Sequence, residues 1–252
     1  MSKPIISVIT VVYNGAATLE QTIASVKAQT YSAIEYIVVD GGSKDNTVAI
    51  IESHTDIVSH WISEKDKGLY DAMNKGMAMA TGEYVFFLNA DDAFFAPDVL
   101  EKMMQAGGNA DVIYGDVMVM DGEGKDIGLR SEVTPHQLPA VLTWKSLQYG
   151  MVVSHQAFLV KRAVAATYDL QYKIASDIDW MITTLKQAAT TVNAGVIVAK
   201  FRTGGTSKER QQQAWKERYA ILSKHYGAVA NFIRHLFIAI RYIIKKPFSK
   251  PI

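Results

Sequence analysis

Asp91 and Asp92 stand side by side in FFLNADDAFF, directly after an apolar run. Adjacent carboxylates repel each other unless a cation sits between or beside them. Mg²⁺ and Mn²⁺ take oxygen ligands, and one or two carboxylates suffice when substrate phosphates and water complete the shell. The plainer alternative is a solvated turn capping the helical run after Pro97-Asp98, and the pair alone supports both readings equally.

Other clusters extend the inventory. In Asp40-Gly41-Gly42-Ser43 the glycines allow close backbone approach, and Asp40 could accept a hydrogen bond from a base or ribose. An ordinary strand-to-helix turn capped by Ser43 or Asp45 is the simpler account. Glu64-Lys65-Asp66-Lys67-Gly68 precedes a helical run. Its lysines, Lys67 among them, suit a diphosphate that the positive helix end would also attract; otherwise the stretch is a solvated loop. Asn74 and Lys75 then read as polar-face helix residues.

Ser176-Asp177-Ile178-Asp179 offers two carboxylates at a helix start, either of them a general base if its surroundings set its pKa, or simply a cap. His155 and Gln156 are weaker candidates for acceptor contacts, since a lone histidine is more often structural. Their order along the chain says more than any one of them: phosphate-facing and base-facing loops, an acidic loop near residue 90, then a carboxylate base candidate much later.

These loops need strands and helices to hold them. Ile5–Val12, Ile34–Val39, Ile57–Ile62 and Tyr84–Leu88 read as strands. Helical runs carry Leu19, Ile23 and Val26, then Val48, Ile50 and Ile51, then Leu69–Ala80. Thr18 to Gln21 resembles a capping box. Strands alternating with short helices imply right-handed crossovers and a mostly parallel sheet, whose ligands sit beyond the strands' carboxyl ends. Further on, Val112–Met120 and Ile127–Arg130 flank a hairpin turn. A strand at His155–Val160, a helix from about Ile178 to Ala188 and a strand at Val192–Phe201 follow. Next come a glycine-bearing loop at Thr203–Ser207, a polar helix at Lys208–Tyr226 and a basic amphipathic tail.

Composition sets the outer bounds. The 252 residues are 49% hydrophobic and 20% charged, with a formal net charge of +1, which argues against nucleic acid as the main partner. With no cysteine, disulfides and thiolate metal sites are excluded. The N-terminal apolar stretch lacks a basic leader and a small-residue cleavage site, and no run of about 18 uncharged apolar residues occurs, so a cytoplasmic protein is expected.

Three segments, SVITVVYNGAATLEQTIASVKAQTY, IEYIVVDGGSKDNT and GLYDAMNKGMAMATGEYVFFLNADD, resemble the nucleotide-sugar-binding half of family 2 glycosyltransferases, which have the GT-A fold. The resemblance is dense over about residues 4–100 and looser to about 205. EKDKGLYDAMNKG is similar to the bacterial subgroup that builds cell-surface polysaccharides and glycolipids. The resemblance implies an α/β, Rossmann-like GT-A fold: a mostly parallel central sheet flanked by helices, with a C-terminal amphipathic helical extension. Residues 1–207 would form the transferase domain, its nucleotide-sugar half about 1–100 and its acceptor half about 101–207, and 208–252 the extension.

The implied reaction is an inverting transfer of a sugar from a nucleoside diphosphate, a UDP-sugar foremost, to the hydroxyl of a glycan or lipid-linked acceptor, with Mn²⁺ or Mg²⁺. The family's Asp-X-Asp motif falls on Asn89-Ala90-Asp91, making Asp91 the metal ligand, Asp92 an auxiliary one, and Asn89 a hydrogen-bonding donor contact without charge. The strand-two motif, often Asp-Asp-Gly-Ser, here keeps Asp40 and has Gly41 in second place. Thr10 and Tyr13 match positions lining the nucleoside pocket. Ser176-Asp177 matches the base motif without its glutamate, making Asp177 the base and Asp179 the runner-up. The Gln-X-X-Arg-Trp motif of processive relatives is absent, which favours addition of single sugars.

Residues 229–246 place apolar side chains at helical spacing among Arg and Lys. That pattern fits either an interfacial helix on anionic lipid, with the protein peripheral at the inner membrane face, or a helix docked on the protein's own core or a partner. Two other functions stay open. A catalytically silent nucleotide-sugar or glycan-binding module would explain Asn89 and Gly41. A nucleotidyltransferase would need a glycine-rich first loop with a basic residue, which Asn14-Gly15 lacks.

Overall fold

The run after Pro4 forms strand β1 (Ile6–Val12), all seven residues of which are buried, as a strand covered on both faces must be. The computed structural model describes residues 3–203 and 210–245, with side chains to residue 236. Beyond β1 the chain runs through helix α1 (Leu19–Lys27), β2 (Ile34–Asp40), α2 (Thr47–Ser53), β3 (His60–Ser63), α3 (Leu69–Met79) and β4 (Tyr84–Phe87). These four strands are parallel, with β2 paired to β1 and β3, and β4 paired to the other side of β1. The strand order thus reverses between β1 and β4, and a crevice opens beyond their carboxyl ends, the usual ligand position in such sheets.

Helix α3 lies close over β1. A Cβ on its Gly76 would come within 2.4 Å of Ile9 Cγ2, so glycine is what permits the approach. Its other contacts are specific too: Asn74 exchanges two hydrogen bonds with the Tyr168 backbone, at 3.0 and 2.9 Å.

The second half contributes β5 (Ala93–Phe94), α4 (Val99–Gly107), β6 (Val112–Met120), β7 (Asp126–Leu129), α5 (Arg130–Val133), β8 (Phe158–Lys161), α6 (Ser176–Gln187) and β9 (Thr191–Arg202). Among the described residues the nine strands join one sheet in the order β3-β2-β1-β4-β8-β6-β9-β5, with β7 hairpinned onto β6. Strand β8 is antiparallel to both its neighbours, β9 is parallel to β6, and β5 is antiparallel to β9. The sheet is therefore mostly parallel but mixed beyond β4. Helices α7 (Gln211–Tyr226) and α8 (Ala228–Lys245) complete the described chain.

Several expected elements shift. His155–Ala157 is a single 3₁₀ turn closed by Ala157 N–H on the Ser154 carbonyl, and only Phe158–Lys161 is strand. Ile57 and Val58 belong to the turn after α2, donating to the His54 carbonyl, so β3 starts three residues later than expected and runs one further, over His60–Ser63. Thr18 forms no side-chain cap; the Gly15 carbonyl takes the first amides instead. The loop expected at Thr203–Ser207 lies, beyond Thr203, outside the described residues, as does Lys208.

Candidate active site

The loops after β1, β2, β3 and β4 gather at one edge of the sheet, and each is braced by its neighbours. Asn14, held at a φ of 50°, donates its N–H to Ser43 Oγ at 2.7 Å and accepts from Lys44 N–H at 2.9 Å, which stitches the first loop to the second. Asp40 is fully buried. Its Oδ2 accepts from the Gly42 and Ser43 amides at 3.1 and 3.0 Å and from Ser63 Oγ at 2.6 Å, and its Oδ1 accepts from Ser43 Oγ. The carboxylate expected to reach a nucleoside is thus spent on shaping its own loop. Thr10 is also buried, its Oγ1 donating to the Leu88 carbonyl at 2.8 Å and accepting from Tyr36 at 3.1 Å. It ties β1 to the end of β4 and faces no open space.

Tyr13, by contrast, is 59% exposed at the crevice. Beside it lies a residue the sequence reading passed over within a charged run. A Cβ on Gly41 would fall 2.4 Å from Asp66 Oδ2 and 3.5 Å from the Tyr13 ring. Asp66 Oδ1 accepts from Gly68 N–H at 2.8 Å, which leaves Oδ2 beside Tyr13 and in the room that the absent side chain of residue 41 vacates. The signal was the coincidence of Gly41 with an aspartate in the loop of the next strand. Lys67 is exposed at the start of α3, its backbone N–H on Asp71 Oδ2 at 2.9 Å.

In the loop after β4, the Asn89 carbonyl accepts from Asp92 N–H at 3.0 Å, a turn that sends the two aspartates apart. Asp91 is exposed, whereas Asp92 is 2% exposed. Although Asp91 lies at the surface, desolvation by the protein packed around its carboxyl raises its pKa, against the pull of the Arg202 charge. Asp92 is pushed well above the carboxylate range, first by burial and then by the neighbouring Asp91 charge; Arg202 and the Gln156 side chain oppose this. Its Oδ1 accepts from the Arg202 backbone N–H at 3.2 Å, and Oδ2 is buried. Arg202, at the end of β9, donates from Nη1 to the Gly122 carbonyl at 3.0 Å. It is the cation at this acidic loop, and nothing in the linear sequence linked it to residues 110 positions away.

The donor set can be weighed for a metal. Among the described residues no three His, Cys, Asp or Glu side chains converge as a self-sufficient site. Asp91 alone offers an accessible carboxylate, which fits a hard cation that draws its other ligands from phosphates and water. Asp92 does not fit, because its carboxyl is shut inside the protein.

Across the crevice, Asp177 opens α6 half-buried. Its Oδ1 accepts from its neighbour's amide, Ile178 N–H, at 2.9 Å and from the Tyr70 hydroxyl at 3.3 Å. Tyr70 begins α3 and also donates to the Ile174 carbonyl at 2.8 Å, so the loop after β3 and the start of α6 are clamped together. Burial raises the Asp177 pKa, partly offset by the charge of Arg218 on α7. Asp179 is placed otherwise. It is buried, with Oδ1 3.0 Å from Lys224 Nζ and 2.8 Å from His225 Nε2. Burial alone would raise its pKa, but those two partners outweigh it and hold the carboxyl below its usual range. Two residues along a helix turn by about 200°, so one aspartate faces the crevice and the other faces α7.

His155 likewise lies inward. It is buried among Phe87, Tyr168 and Trp180, with Nε2 2.6 Å from the Tyr168 hydroxyl, and burial lowers its pKa to about 4. A neutral ring in an aromatic core replaces the expected acceptor contact. Gln156 is also buried, its Oε1 accepting from Ser154 Oγ at 2.8 Å and its side chain turned to Asp92.

Comparison with known proteins gives this crevice its family. Among solved structures, S. aureus TarS 1-349 in complex with UDP superposes with a TM-score of 0.68 at 17% identity, covering 88% of this chain and 65% of that one. The chain thus spans less than two thirds of that neighbour's length. A mannosyltransferase, PcManGT from Pyrobaculum calidifontis, solved with GDP-Man and Mn²⁺, gives 0.59 at 17% identity, covering 99% and 77%. An uncharacterized glycosyltransferase of Mycobacterium tuberculosis is 35% identical over 219 residues, 84% of this chain and 80% of that protein. A PGL/p-HBAD biosynthesis glycosyltransferase of Mycobacterium bovis is 30% identical over 215 residues, 81% and 79% of the two chains. Residues 7–168 match the family model described as Glycosyl transferase family 2, and with relatives of this identity and coverage the chain belongs to that family.

Proposed function

We propose that the chain transfers a single sugar, with inversion, from a nucleoside diphosphate sugar to an acceptor hydroxyl, with Asp177 as general base. The observation that carries this reading is the half-buried Asp177 carboxyl, held by Tyr70 at the crevice while Asp179 is consumed by Lys224 and His225. Asp177 takes the acceptor hydroxyl proton as that oxygen bonds to the anomeric carbon. The bond from that carbon to the diphosphate oxygen breaks on the opposite face, which inverts the centre. Tyr70 fixes the carboxylate's orientation. Tyr13 and Asp66 take the nucleoside, Tyr13 by its exposed ring and Asp66 by its Oδ2; Asp40 and Thr10 hold the loops that present them. Asn89 and Lys67 border the sugar and diphosphate. Asp91 would hold a divalent cation, which when bound offsets charge on the departing diphosphate.

UDP is the favoured nucleotide because TarS was solved with it, and the Mn²⁺ in the mannosyltransferase complex supports the cation. A silent binding module is disfavoured, since Asp66 fills the room that Gly41 leaves and Asp177 is intact. The deciding experiment is a donor panel assayed for binding and hydrolysis with and without Mn²⁺, on the wild type and Asp177→Asn. Donor binding without turnover in either protein, with any acceptor offered, would sink the enzymatic reading.

The acceptor is lipid-linked in this proposal, and α8 carries the support. Val229, Phe232, Ile233 and Leu236 are 51–76% exposed along it, while Asn231 fastens the opposite face to α7 through the Tyr219 carbonyl and Ser223 Oγ at 3.1 and 2.9 Å. Residues 218–252 hold seven Lys/Arg and no Asp or Glu, so the first 217 hold the other 19 against all 25 acids. An apolar face on a basic tail suits an anionic lipid surface, and the acidic body does not. No described helix is long and apolar enough to cross a membrane.

A further inference from the structure

Two arginines, Arg130 and Arg218, bear on the acceptor side of the crevice, and the carboxylates that act on them, Asp116 on the first and Asp177 on the second, both stop short of an ion pair. Arg130, at the start of α5, is largely withdrawn from solvent. Its Nη2 donates to the Met151 carbonyl, while its Nη1 is buried with no hydrogen-bond partner. Arg218 comes from α7. The preceding residue, Glu217, accepts from the amides of Lys173, Ile174 and Ala175 at 3.0, 2.8 and 3.0 Å, the three residues leading into Ser176-Asp177. That clamp brings Arg218 to bear on Asp177, and its charge acts on Arg130 and His136 as well. Neither arginine makes an ion pair among the described residues.

The acid whose charge acts on Arg130 is Asp116. Its Oδ1 accepts from Val117 N–H at 2.8 Å and its Oδ2 from Ser131 N–H at 3.3 Å, so backbone amides occupy both oxygens. The His136 ring packs over Gly150, 3.3 Å from where a Cβ would stand, one residue from the Met151 carbonyl that Arg130 holds. Burial and the two guanidinium charges keep this ring neutral, free to share a proton in a hydrogen bond. The unmet buried N–H of Arg130 is costly unless a ligand completes it, and guanidinium forks match a phosphate's oxygens.

We propose that Arg130, Arg218 and His136 form an anion subsite, and that the acceptor bears a phosphate gripped there so that its hydroxyl lies against Asp177. The acceptor assignment rests on Asp177 being the base; the anion site does not. The same loop meets the tail, since the Arg234 guanidinium lies 5.8 Å over the Tyr149 ring and 5.7 Å over Tyr226. The phosphate could therefore belong to a lipid headgroup or to a soluble ester.

The test measures binding to the full chain with excess UDP, so that the donor loops are filled. Glycerol 1-phosphate, by titration calorimetry, probes a soluble ester. Phosphatidylcholine vesicles with and without phosphatidic acid probe a headgroup. Arg130→Gln and Arg218→Gln are compared with Arg218→Lys and with Lys102→Gln, a matched charge loss on α4; Arg218 is exposed, so its replacement leaves the packing intact. The expected result is a loss of about tenfold or more in both glutamine variants, ~1.4 kcal/mol. Arg218→Lys should fall between, and Lys102→Gln should match the wild type. The same pattern seen with only one probe identifies the source of the phosphate. Equal binding of both probes by wild type and glutamine variants, or binding of neither probe while UDP binds, overturns the subsite. Arginine-dependent phosphate binding in a chain that binds no donor leaves the subsite standing and removes the transferase reading.

Discussion

The Tyr70 hydroxyl lies 3.3 Å from Asp177 Oδ1 and 2.8 Å from the Ile174 carbonyl, so one phenol joins the first turn of α3 to the candidate base. Burial raises the Asp177 pKa, while Arg218 and the Tyr70 hydrogen bond each pull it down. A base works ionised, so transfer should be full above this raised pKa and fall as pH drops through it. Arg218→Gln and Tyr70→Phe each remove a lowering influence, so each should move the acid limb of kcat/KM to higher pH. Asp177→Asn should cost roughly 10²–10⁴ in kcat. Rate profiles against pH check this, and an acid limb that stays put in both variants would count against Asp177.

Asp91 and Asp92 should separate cleanly. Asp91 is the exposed carboxylate, so Asp91→Asn should weaken Mn²⁺-dependent donor binding at least tenfold, ~1.4 kcal/mol. Asp92 is buried, its pKa pushed up first by burial and then by Asp91, and it accepts a backbone N–H that an amide oxygen can also accept. Asp92→Asn should keep most of the metal-dependent binding. Titrating donor against each variant with and without Mn²⁺ decides, and equal losses would return Asp92 to the cation.

Gly41 and Asp66 form a second linked pair. Gly41→Ala puts a methyl 2.4 Å from Asp66 Oδ2, which is a side-chain end that can swing away at little cost to stability. The expected outcome is a melting temperature close to wild type with donor affinity down about tenfold, ~1.4 kcal/mol. Asp66→Asn should reproduce the loss. Unchanged donor binding in both variants would remove Asp66 from the nucleoside pocket.

Strands β1, β2 and β4 were legible because each is an apolar run closed by glycine or acidic residues, and β1 and β2 are buried along nearly their whole length, whereas β3 is short, half-exposed and begins three residues later than expected. Local pattern failed where tertiary contacts decide. His155-Gln156 reads as the start of a strand running to Val160, yet the two residues form a 3₁₀ turn with both side chains buried. The spacing of Asp177 and Asp179 does not tell them apart; the family resemblance ranks Asp177 first, and the physical reason lies in Lys224 and His225, which arrive some 45 residues later and take Asp179. Arg202, Asp66 and Arg218 were hidden for the same reason: each meets its partner across the fold, and spacing along the chain carries no trace of that.

The tail yields a prediction with a simple readout. Phe232→Ser with Ile233→Ser removes exposed apolar surface from α8 and leaves Asn231 and Arg234 in place on α7. Flotation with anionic vesicles should recover the wild-type chain and lose the double variant, and neutral vesicles should hold both weakly. Comparable recovery of the two proteins would assign this face to another partner.

Asp179 belongs to the scaffold and should behave so. Removing one member of a buried charged cluster is strongly destabilising, and the half-exposed Lys224 moderates the effect, so Asp179→Asn should cost about 2–3 kcal/mol at neutral pH. The sign with pH follows from its lowered pKa, which burial opposes and the His225 and Lys224 contacts produce. An unfolded aspartate titrates at ~3.9, so the native stabilisation is complete above that value and lost as pH falls through the depressed native one. The gap between wild type and variant in urea melts should therefore narrow on acidification. Because α7 also carries Glu217 and Arg218, loosening this tie should lower transfer in parallel with stability, whereas Asp177→Asn should cut kcat steeply with the fold intact.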